Sequence, residues 1–364
     1  MSDPKVRDLF PQTPFEIGGG LNRETGRELF TPLEMHEKFR DEVIKNRRRG
    51  TCIWALSGPV GIGRTWTLCW TARQAVEQNM GTDERWEAAL VPGLGSGQIR
   101  DLYESVFQST DYLREEAAEN LDQGFDHISG QGREGILNHA LTNQSSWSVF
   151  TGDRGRFPNI DGIDQKPKWT KRETQVQFLI LWLKKLKEIG VDNLLILVDE
   201  FETTVTRLSS SKMTDFSDGL RRFYDVIEEN KDDIPNVEII LSATTEAANK
   251  IDPSASSSQL QGWLTALQSR MTRGFRLGKI SEDEAKKIAI NCIDYRRTVD
   301  SEDEYYPYTV EAIETAYDGS DGLTRRLGEI INEMYFTAFD KTLIEEEDAQ
   351  EAVEILGYDF KQIN

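Results

Sequence analysis

The sequence predicts an α/β fold with a doubly wound parallel sheet, followed by a small all-helical C-terminal domain. Nearly continuous apolar runs, at 193–198 and 237–243, are typical of strands covered on both faces of a parallel sheet. Amphipathic helical segments separate these runs, as expected for alternating strands and helices. A glycine-rich loop near residue 60 joins a short apolar run to a helical segment. After the capping box Ser281-x-x-Glu284, only helical patterns follow.

The length of 364 residues exceeds what a single core usually supports, so we expect one large and one smaller domain. Residues 1–30 are polar and contain three consecutive glycines, which predicts an N-terminal arm. The α/β domain is predicted over 31–279, with an insertion of helices and loops at about 94–169. The helical domain is predicted over 280–364.

Composition excludes several classes of protein. The net charge of −20 disfavours a protein whose whole surface binds nucleic acid. The same charge also fits adaptation to high intracellular salt. Cys52, Cys69 and Cys292 are far apart, and with three histidines they give no zinc-site spacing. No apolar run reaches the ~20 residues that span a bilayer, and no apolar signal segment is present. We therefore expect a soluble, cytoplasmic protein without membrane contact.

The glycine-rich loop has the spacing G-x-x-x-x-G-K-[ST] of a phosphate-binding P-loop, with Arg64 where the pattern has lysine. Backbone N–H groups of such a loop surround phosphates, and the hydroxyl of Thr65 would bind Mg²⁺. A glycine-rich surface turn is the alternative interpretation. The residues expected to bind ATP here are Gly58, Pro59, Val60, Gly61, Ile62, Gly63, Arg64, Thr65 and Trp66. The guanidinium of Arg64 is bulkier than an ammonium group and puts hydrolysis in question.

Two acidic residues, Asp199 and Glu200, end the apolar strand at 193–198. The carboxyl ends of parallel strands are where open α/β sheets bind ligands. Asp199 would hold the water shell of Mg²⁺, and Glu200 would orient or deprotonate the attacking water. The alternative is a pair of acidic residues that begins a solvated turn.

A hydroxyl group follows the next apolar strand, at 237–243. Thr244 could position the attacking water near the γ-phosphate, and Ser242 and Thr245 are competitors for this role. A β-branched residue that simply ends a strand is an equally good interpretation.

Together these segments resemble the AAA+ ATPases, from about Phe30 onward. The loop at 58–65 resembles Walker A, 194–200 resembles Walker B, and 242–245 resembles sensor 1. The C-terminal part is most similar to the lid of the initiator and transposition-regulator branch, on the segments 280–285, 308–312 and 322–327.

The resemblance implies further site residues. The segment at 322–327 is similar to sensor 2 and would put Arg325 over the nucleotide. The family also implies an arginine that reaches the neighbouring subunit's γ-phosphate. Arg270 is the first candidate for it and Arg273 the second, and either could instead be a surface arginine. The sequence Asp199-Glu200-Phe201-Glu202 also looks like Walker B of anti-phage defence ATPases, so an antiviral role stays open.

A local basic and aromatic segment lies at 166–172. Its cations could neutralise phosphates and its tryptophan could stack on a base. The alternative is a solvated loop whose tryptophan packs against the next helix. The residues of this possible DNA contact are Lys166, Lys168, Trp169, Lys171 and Arg172.

The residues support two hypotheses of function. The first is an oligomeric AAA+ switch that binds ATP–Mg²⁺, hydrolyses it slowly and acts on DNA or a partner protein. The second is a pseudo-ATPase scaffold or regulator that binds nucleotide without turnover because of Arg64. The retained Asp199 and Glu200 favour the first, because a site without turnover has no need of a water-activating carboxylate.

Overall fold

The computed structural model describes residues 4–10, 29–45, 52–78, 84–93, 99–110, 113, 172–207, 210–251 and 271–358. The chain divides into two compact units. One, which we call the sheet unit, comprises Phe39–Ser57 and Thr71–Arg276. The other, the helical unit, comprises Met1–Lys38, Gly58–Trp70 and Leu277–Asn364. The glycine-rich loop therefore belongs to the same unit as the C-terminal helices.

The sheet unit contains one parallel five-stranded sheet in the order β2-β3-β4-β1-β5. The strands are β1 (Cys52–Gly58), β2 (Arg85–Pro92), β3 (Val191–Asp199), β4 (Asn236–Thr244) and β5 (Met271–Arg276). The register pairs Val198 of β3 with Leu241 of β4 and Trp54 of β1 with Arg273 of β5. Trp54 Nε1 also donates a 2.7 Å hydrogen bond to the buried carboxylate of Glu238 in β4. The predicted parallel sheet is confirmed.

Helices precede, separate and follow the strands. Their bounds are α1 (Val6–Leu9), α2 (Glu34–Ile44), α3 (Arg64–Gln78), α4 (Ile99–Ser109), α5 (Arg172–Glu188), α6 (Phe201–Arg207), α7 (Ser210–Glu229), α8 (Thr245–Ile251), α9 (Glu282–Arg296), α10 (Val310–Ser320), α11 (Thr324–Thr337) and α12 (Glu346–Ile355). The core of the sheet unit contains residues of β3 and β4 together with large side chains such as Trp182, Phe107 and Phe223. Burial on both faces explains why β3 is apolar nearly throughout.

Part of the predicted insertion belongs to this core. Helix α4 buries Leu102, Tyr103 and Val106, and Trp182 Nε1 of α5 donates to Thr110 Oγ1 at 2.9 Å. The rest of the insertion, at 94–98, 111–112 and 114–169, lies outside the described residues. Its described portion is thus a packed helix at one end of the predicted range.

The core of the helical unit is formed mainly by α9–α12. The predicted capping box is confirmed, because Ser281 Oγ accepts from Glu284 N and the Glu284 carboxylate accepts from Ser281 N. Residues 4–10, inside the segment predicted as an arm, contribute Val6, Leu9 and Phe10 to the same core. The ring of Phe10 makes edge contacts with two tyrosines of this unit.

Candidate nucleotide-binding site

The P-loop lies between β1 and α3. β1 ends at Gly58 and α3 begins at Arg64, so five residues form the turn. Gly61 and Gly63 have φ angles of 83° and 91°, which glycine adopts without steric cost. The strand, loop and helix expected from the sequence are present. Both Arg64 and Thr65 are half-buried at the start of α3.

Two glycines of the loop are also places where other chain segments come close. A Cβ atom at Gly58 would lie 2.8 Å from Ile62 Cγ2 and 3.2 Å from Leu277 Cβ. A Cβ atom at Gly61 would lie 2.9 Å from Arg325 Cβ. The second contact puts the stem of Arg325, the predicted sensor 2 residue, against the P-loop backbone.

The first residues of α11 bond to the P-loop. The carbonyl oxygen of Gly61 accepts a 2.7 Å hydrogen bond from Thr324 Oγ1 and a 2.9 Å hydrogen bond from the backbone N–H of Arg325. Arg325 itself is exposed, so its guanidinium is accessible to solvent beside the loop. Sequence reasoning singled out Arg325 and missed Thr324, although Thr324 belongs to the quoted segment 322–327.

Trp66, the residue after the P-loop threonine, stacks on an aromatic side chain, that of Phe30. The ring of Phe30 lies almost parallel to that of Trp66, with centroids 6.4 Å apart, and it also contacts Trp70 and His36. His36 is 3% exposed, and its Nδ1 accepts a 3.0 Å hydrogen bond from Leu33 N. Burial lowers the pKa of His36 to about 4. Sequence reasoning gave no role to Phe30 or His36.

Asp199 and Glu200 lie at the carboxyl end of β3, as expected. Asp199 is 8% exposed, whereas Glu200 is exposed. Glu200 has a φ of 47°, in the left-handed region that is unfavourable for residues with a Cβ atom. Such strain persists only where the surroundings hold it, and it clusters at functional sites.

Two neighbours in the sheet unit hold the turn at Glu200. The carbonyl of Glu200 accepts from Thr203 N at 2.9 Å and from Thr203 Oγ1 at 2.8 Å. The N–H of Gly93 donates to the carbonyl of Asp199 at 3.2 Å, and a Cβ atom at Gly93 would lie 3.9 Å from Glu200 Cβ. These supporting residues carry no motif and were not found from the sequence.

The three hydroxyl candidates at the end of β4 differ in their hydrogen bonds. Thr244 Oγ1 accepts a 3.3 Å hydrogen bond from Ala247 N and so caps α8. Ser242 Oγ and Thr245 Oγ1 are buried and have no hydrogen-bond partner within the part of the chain that the structure describes. Thr244 thus has a structural role, and the water-positioning role stays a prediction.

Seven of the predicted site residues have no described side chain. Arg270, Lys166, Lys168, Trp169 and Lys171 lie outside the described residues. Arg273 lies in β5 and Arg172 is the first residue of α5, but neither side chain is described. Their predicted contacts with nucleotide or DNA remain predictions.

The described residues contain no group of three or more His, Cys, Asp or Glu side chains that could hold a metal ion. A Mg²⁺ bound with nucleotide needs few protein ligands, because phosphates and waters supply the rest. The hydroxyl of Thr65 in the helical unit and the carboxylate of Asp199 in the sheet unit are each an oxygen donor of the kind that Mg²⁺ takes. Burial raises the pKa of the Cys292 thiol to about 12, so this cysteine is a buried thiol of low reactivity. None of the described helices is long and apolar enough to cross a membrane.

No protein-family model matches the chain, and no curated protein matches it. Among solved structures, the Aeropyrum pernix ORC2 protein in ADPNP–ADP complexes aligns with a TM-score of 0.53 at 14% identity, covering 97% of this chain and 71% of that chain. Its ADP form aligns with a TM-score of 0.48 at 16% identity, covering 93% and 70%. The Thermotoga maritima RuvB Holliday junction branch migration motor aligns with a TM-score of 0.43 at 14% identity, covering 90% and 70%.

At such identities, a likeness shows the fold alone, and the TM-score of 0.53 indicates that the fold is shared with the ORC2 protein. Together with the strand order, that likeness confirms the predicted fold class. The chain has the fold of an α/β P-loop NTPase, followed by C-terminal helices.

Proposed function

We propose that this protein is an AAA+ ATPase that binds ATP–Mg²⁺, hydrolyses it slowly and works as an oligomeric switch. The observation that carries the proposal is Glu200, an exposed carboxylate held at a φ of 47° at the carboxyl end of β3. Glycine would adopt this backbone without cost, so the glutamate side chain itself is what the position needs.

The P-loop residues from Gly58 to Thr65 bind the phosphates in this proposal. Positive φ angles at Gly61 and Gly63 let backbone N–H groups turn toward an anion. Arg64 supplies a fixed positive charge at the start of α3, where the helix dipole also favours an anion. Trp66, stacked on Phe30, offers an aromatic surface for the base.

The remaining groups serve hydrolysis. Thr65 and Asp199 would hold Mg²⁺, which would neutralise charge on the terminal phosphates. Glu200 orients or deprotonates the attacking water, and Thr244 assists in positioning it. Arg325 contacts the phosphates from the start of α11, and Arg270 or Arg273 acts on the nucleotide of a neighbouring subunit.

A phosphate-release assay tests the proposal. We expect Glu200→Gln to lower turnover by ~100-fold or more, as removal of a general base does, with nucleotide affinity retained. Glu202→Gln, two residues further on in α6, is the matched control and should keep wild-type turnover. Equal turnover in Glu200→Gln and wild type would refute the assigned role of Glu200.

Arg64 favours a second candidate, a pseudo-ATPase that binds nucleotide without turnover. Its planar guanidinium replaces the lysine of the P-loop pattern, and the two groups differ in size and hydrogen-bond geometry. This candidate predicts no turnover in wild type and restored turnover in Arg64→Lys. Turnover in wild type that is lost in Glu200→Gln contradicts it.

We also propose what the assembled protein acts on. ATP would order subunits against each other, and the assembly would act on DNA or on a partner protein, in a DNA transaction or in anti-phage defence. Within AAA+, we propose the initiator and transposition-regulator branch, because of the resemblance at 280–285, 308–312 and 322–327.

Measuring mass in solution with and without ATP tests assembly. Salt-sensitive DNA retention that is lost on charge reversal of Lys166 to Arg172 tests the DNA contact.

A further inference from the structure

The P-loop and α11 share one backbone atom, the carbonyl oxygen of Gly61. It accepts hydrogen bonds from the hydroxyl of Thr324 at 2.7 Å and from the N–H of Arg325 at 2.9 Å. All three residues belong to the helical unit, although Gly61 and Thr324 are far apart in sequence. The contact joins the predicted phosphate-binding loop to the helix that carries the predicted sensor 2 residue, Arg325.

Helix α11 has no cap from its own sequence. The first N–H groups of any helix lack partners within the helix and need an acceptor from elsewhere. The N-cap residue, Leu323, has no side-chain acceptor, and the first turn contains no acidic residue. Arg325 and Arg326 put two cations there, where the helix dipole disfavours them. The carbonyl of Gly61 therefore does what a capping side chain normally does.

The same contact fixes the orientation of a P-loop peptide group. In a planar trans peptide the carbonyl and the following N–H point in opposite directions. The carbonyl of Gly61 is held by α11, and the N–H of Ile62 donates to the carbonyl of Pro59 at 3.4 Å. Both the carbonyl and the N–H of the Gly61–Ile62 peptide are thus hydrogen-bonded. Because Gly61 has no Cβ atom, this peptide could otherwise rotate more freely than one that follows any other residue.

We propose that Thr324 is a positioning residue for the P-loop and that the P-loop in turn caps α11. This inference rests on the proposed nucleotide binding and adds a way to regulate it. Positioning of the P-loop and capping of α11 both depend on the hydrogen-bonded carbonyl of Gly61, so the two effects are linked. Nucleotide that favours the described loop conformation also orders the start of α11, and an ordered α11 raises affinity for nucleotide by the same factor.

Three variants test the role of Thr324. Thr324→Val removes the hydroxyl and keeps the β-branched shape, whereas Thr324→Ser keeps the hydroxyl. Thr337→Val is the matched control, because Thr337 is the last residue of the same helix and its hydroxyl donates to Met334 O at 3.0 Å. Affinity is measured by the fluorescence of a mant-labelled ATP on the full chain, and thermal unfolding is recorded for each variant.

We expect Thr324→Val to bind the labelled ATP about three- to tenfold more weakly, the range for one net hydrogen bond. Thr324→Ser should restore the affinity, and Thr337→Val should leave it unchanged at a similar unfolding temperature. If both threonines had only structural roles, both valine variants would unfold at a lower temperature, and their affinities for the labelled ATP would be equal. Equal affinities in wild type and Thr324→Val would overturn the proposal.

Amide hydrogen exchange without nucleotide separates this inference from the proposed function. Amides in the first turn of a helix usually exchange fast, because they lack a partner within the helix. The N–H of Arg325 should nevertheless exchange slowly in wild type, and it should exchange several-fold faster in Thr324→Val. If wild-type protein binds no nucleotide, the proposed function fails, and exchange at Arg325 alone decides whether the P-loop caps α11. An unprotected Arg325 amide in wild type would overturn the cap.

Discussion

Two turns at the carboxyl ends of strands use positive φ angles in opposite ways. After β1, the P-loop uses Gly61 and Gly63, at 83° and 91°. After β3, the turn uses Glu200 at 47°. The glycines are unstrained in this region, whereas a residue with a Cβ atom loses roughly 1–2 kcal/mol there. The first turn is built for close approach of the backbone, and the second keeps a particular side chain despite the strain.

The supports of the two turns differ accordingly. The P-loop glycine could rotate freely, and Thr324 and Arg325 hold its carbonyl from another part of the chain. Glu200 is held locally. Thr203, at the start of α6, donates a hydrogen bond to its carbonyl, and Gly93, directly after β2, lies beside its side chain. A free turn thus needs external hydrogen bonds, whereas a strained turn needs neighbours that outweigh its strain.

The largest expected effect comes from adding a Cβ atom to the first turn. In Gly61→Ala the new atom would lie 2.9 Å from Arg325 Cβ and would also occupy a positive φ. We expect the free energy of unfolding to fall by roughly 2–5 kcal/mol, from backbone strain and overpacking together. Urea denaturation measures this change.

Gly63→Ala is the control within the same loop. Its φ is also positive, but the nearest atom to the new Cβ, Thr324 Oγ1, would be 3.7 Å away. Only backbone strain remains, so we expect a loss of about 1–2 kcal/mol. Equal losses in the two variants would mean that the close approach of Arg325 to Gly61 contributes nothing to the turn.

A second prediction concerns the aromatic support of the P-loop helix. His36 accepts from Leu33 N and contacts Phe30, which stacks on Trp66. Because burial lowers its folded-state pKa from 6.5 to about 4, the unfolded chain binds the proton more tightly. Stability should therefore fall as pH drops from 6.5 toward 4, by up to about 3 kcal/mol from this group.

His36→Gln isolates this contribution. Glutamine at the third position of a helix can accept from the N-cap N–H, as His36 does, and it does not titrate. The difference in free energy of unfolding between wild type and His36→Gln should therefore shift against wild type between pH 6.5 and 4 and stay constant above about pH 7. A difference that is independent of pH would show that His36 titrates normally.

The positions of β1, β3 and β4 and of both turns follow from the sequence, whereas β5 was not predicted. Continuous apolar runs located β3 and β4, and the glycine spacing located the P-loop. Local pattern suffices there because each feature occupies consecutive residues. Val6, Leu9 and Phe10 also carry a helical spacing of apolar residues, a signal that could have assigned 4–10 to a core.

The supports of the turns could not be predicted in this way. The hydrogen bond from Thr324 to Gly61 spans most of the chain, and no periodicity within either segment marks the pairing. The φ of Glu200 is likewise invisible in the residue names, because the helix that follows and the hydrogen bonds of Thr203 determine it. The sequence indicates which groups are candidates for chemistry, and tertiary contacts determine the backbone conformation that presents them.

The smallest expected effect, in the second turn, separates strain from chemistry. Glu200→Gly removes the Cβ atom that makes a φ of 47° unfavourable, and it also adds freedom to the unfolded chain. These effects nearly offset each other, so we expect the free energy of unfolding in urea to be unchanged or higher by up to about 1 kcal/mol. Glu200→Gln keeps the strain and serves as the reference. A clear loss of stability in Glu200→Gly relative to Glu200→Gln would mean that the stem of the Glu200 side chain supports the fold. The side chain would then be kept for stability and not for chemistry.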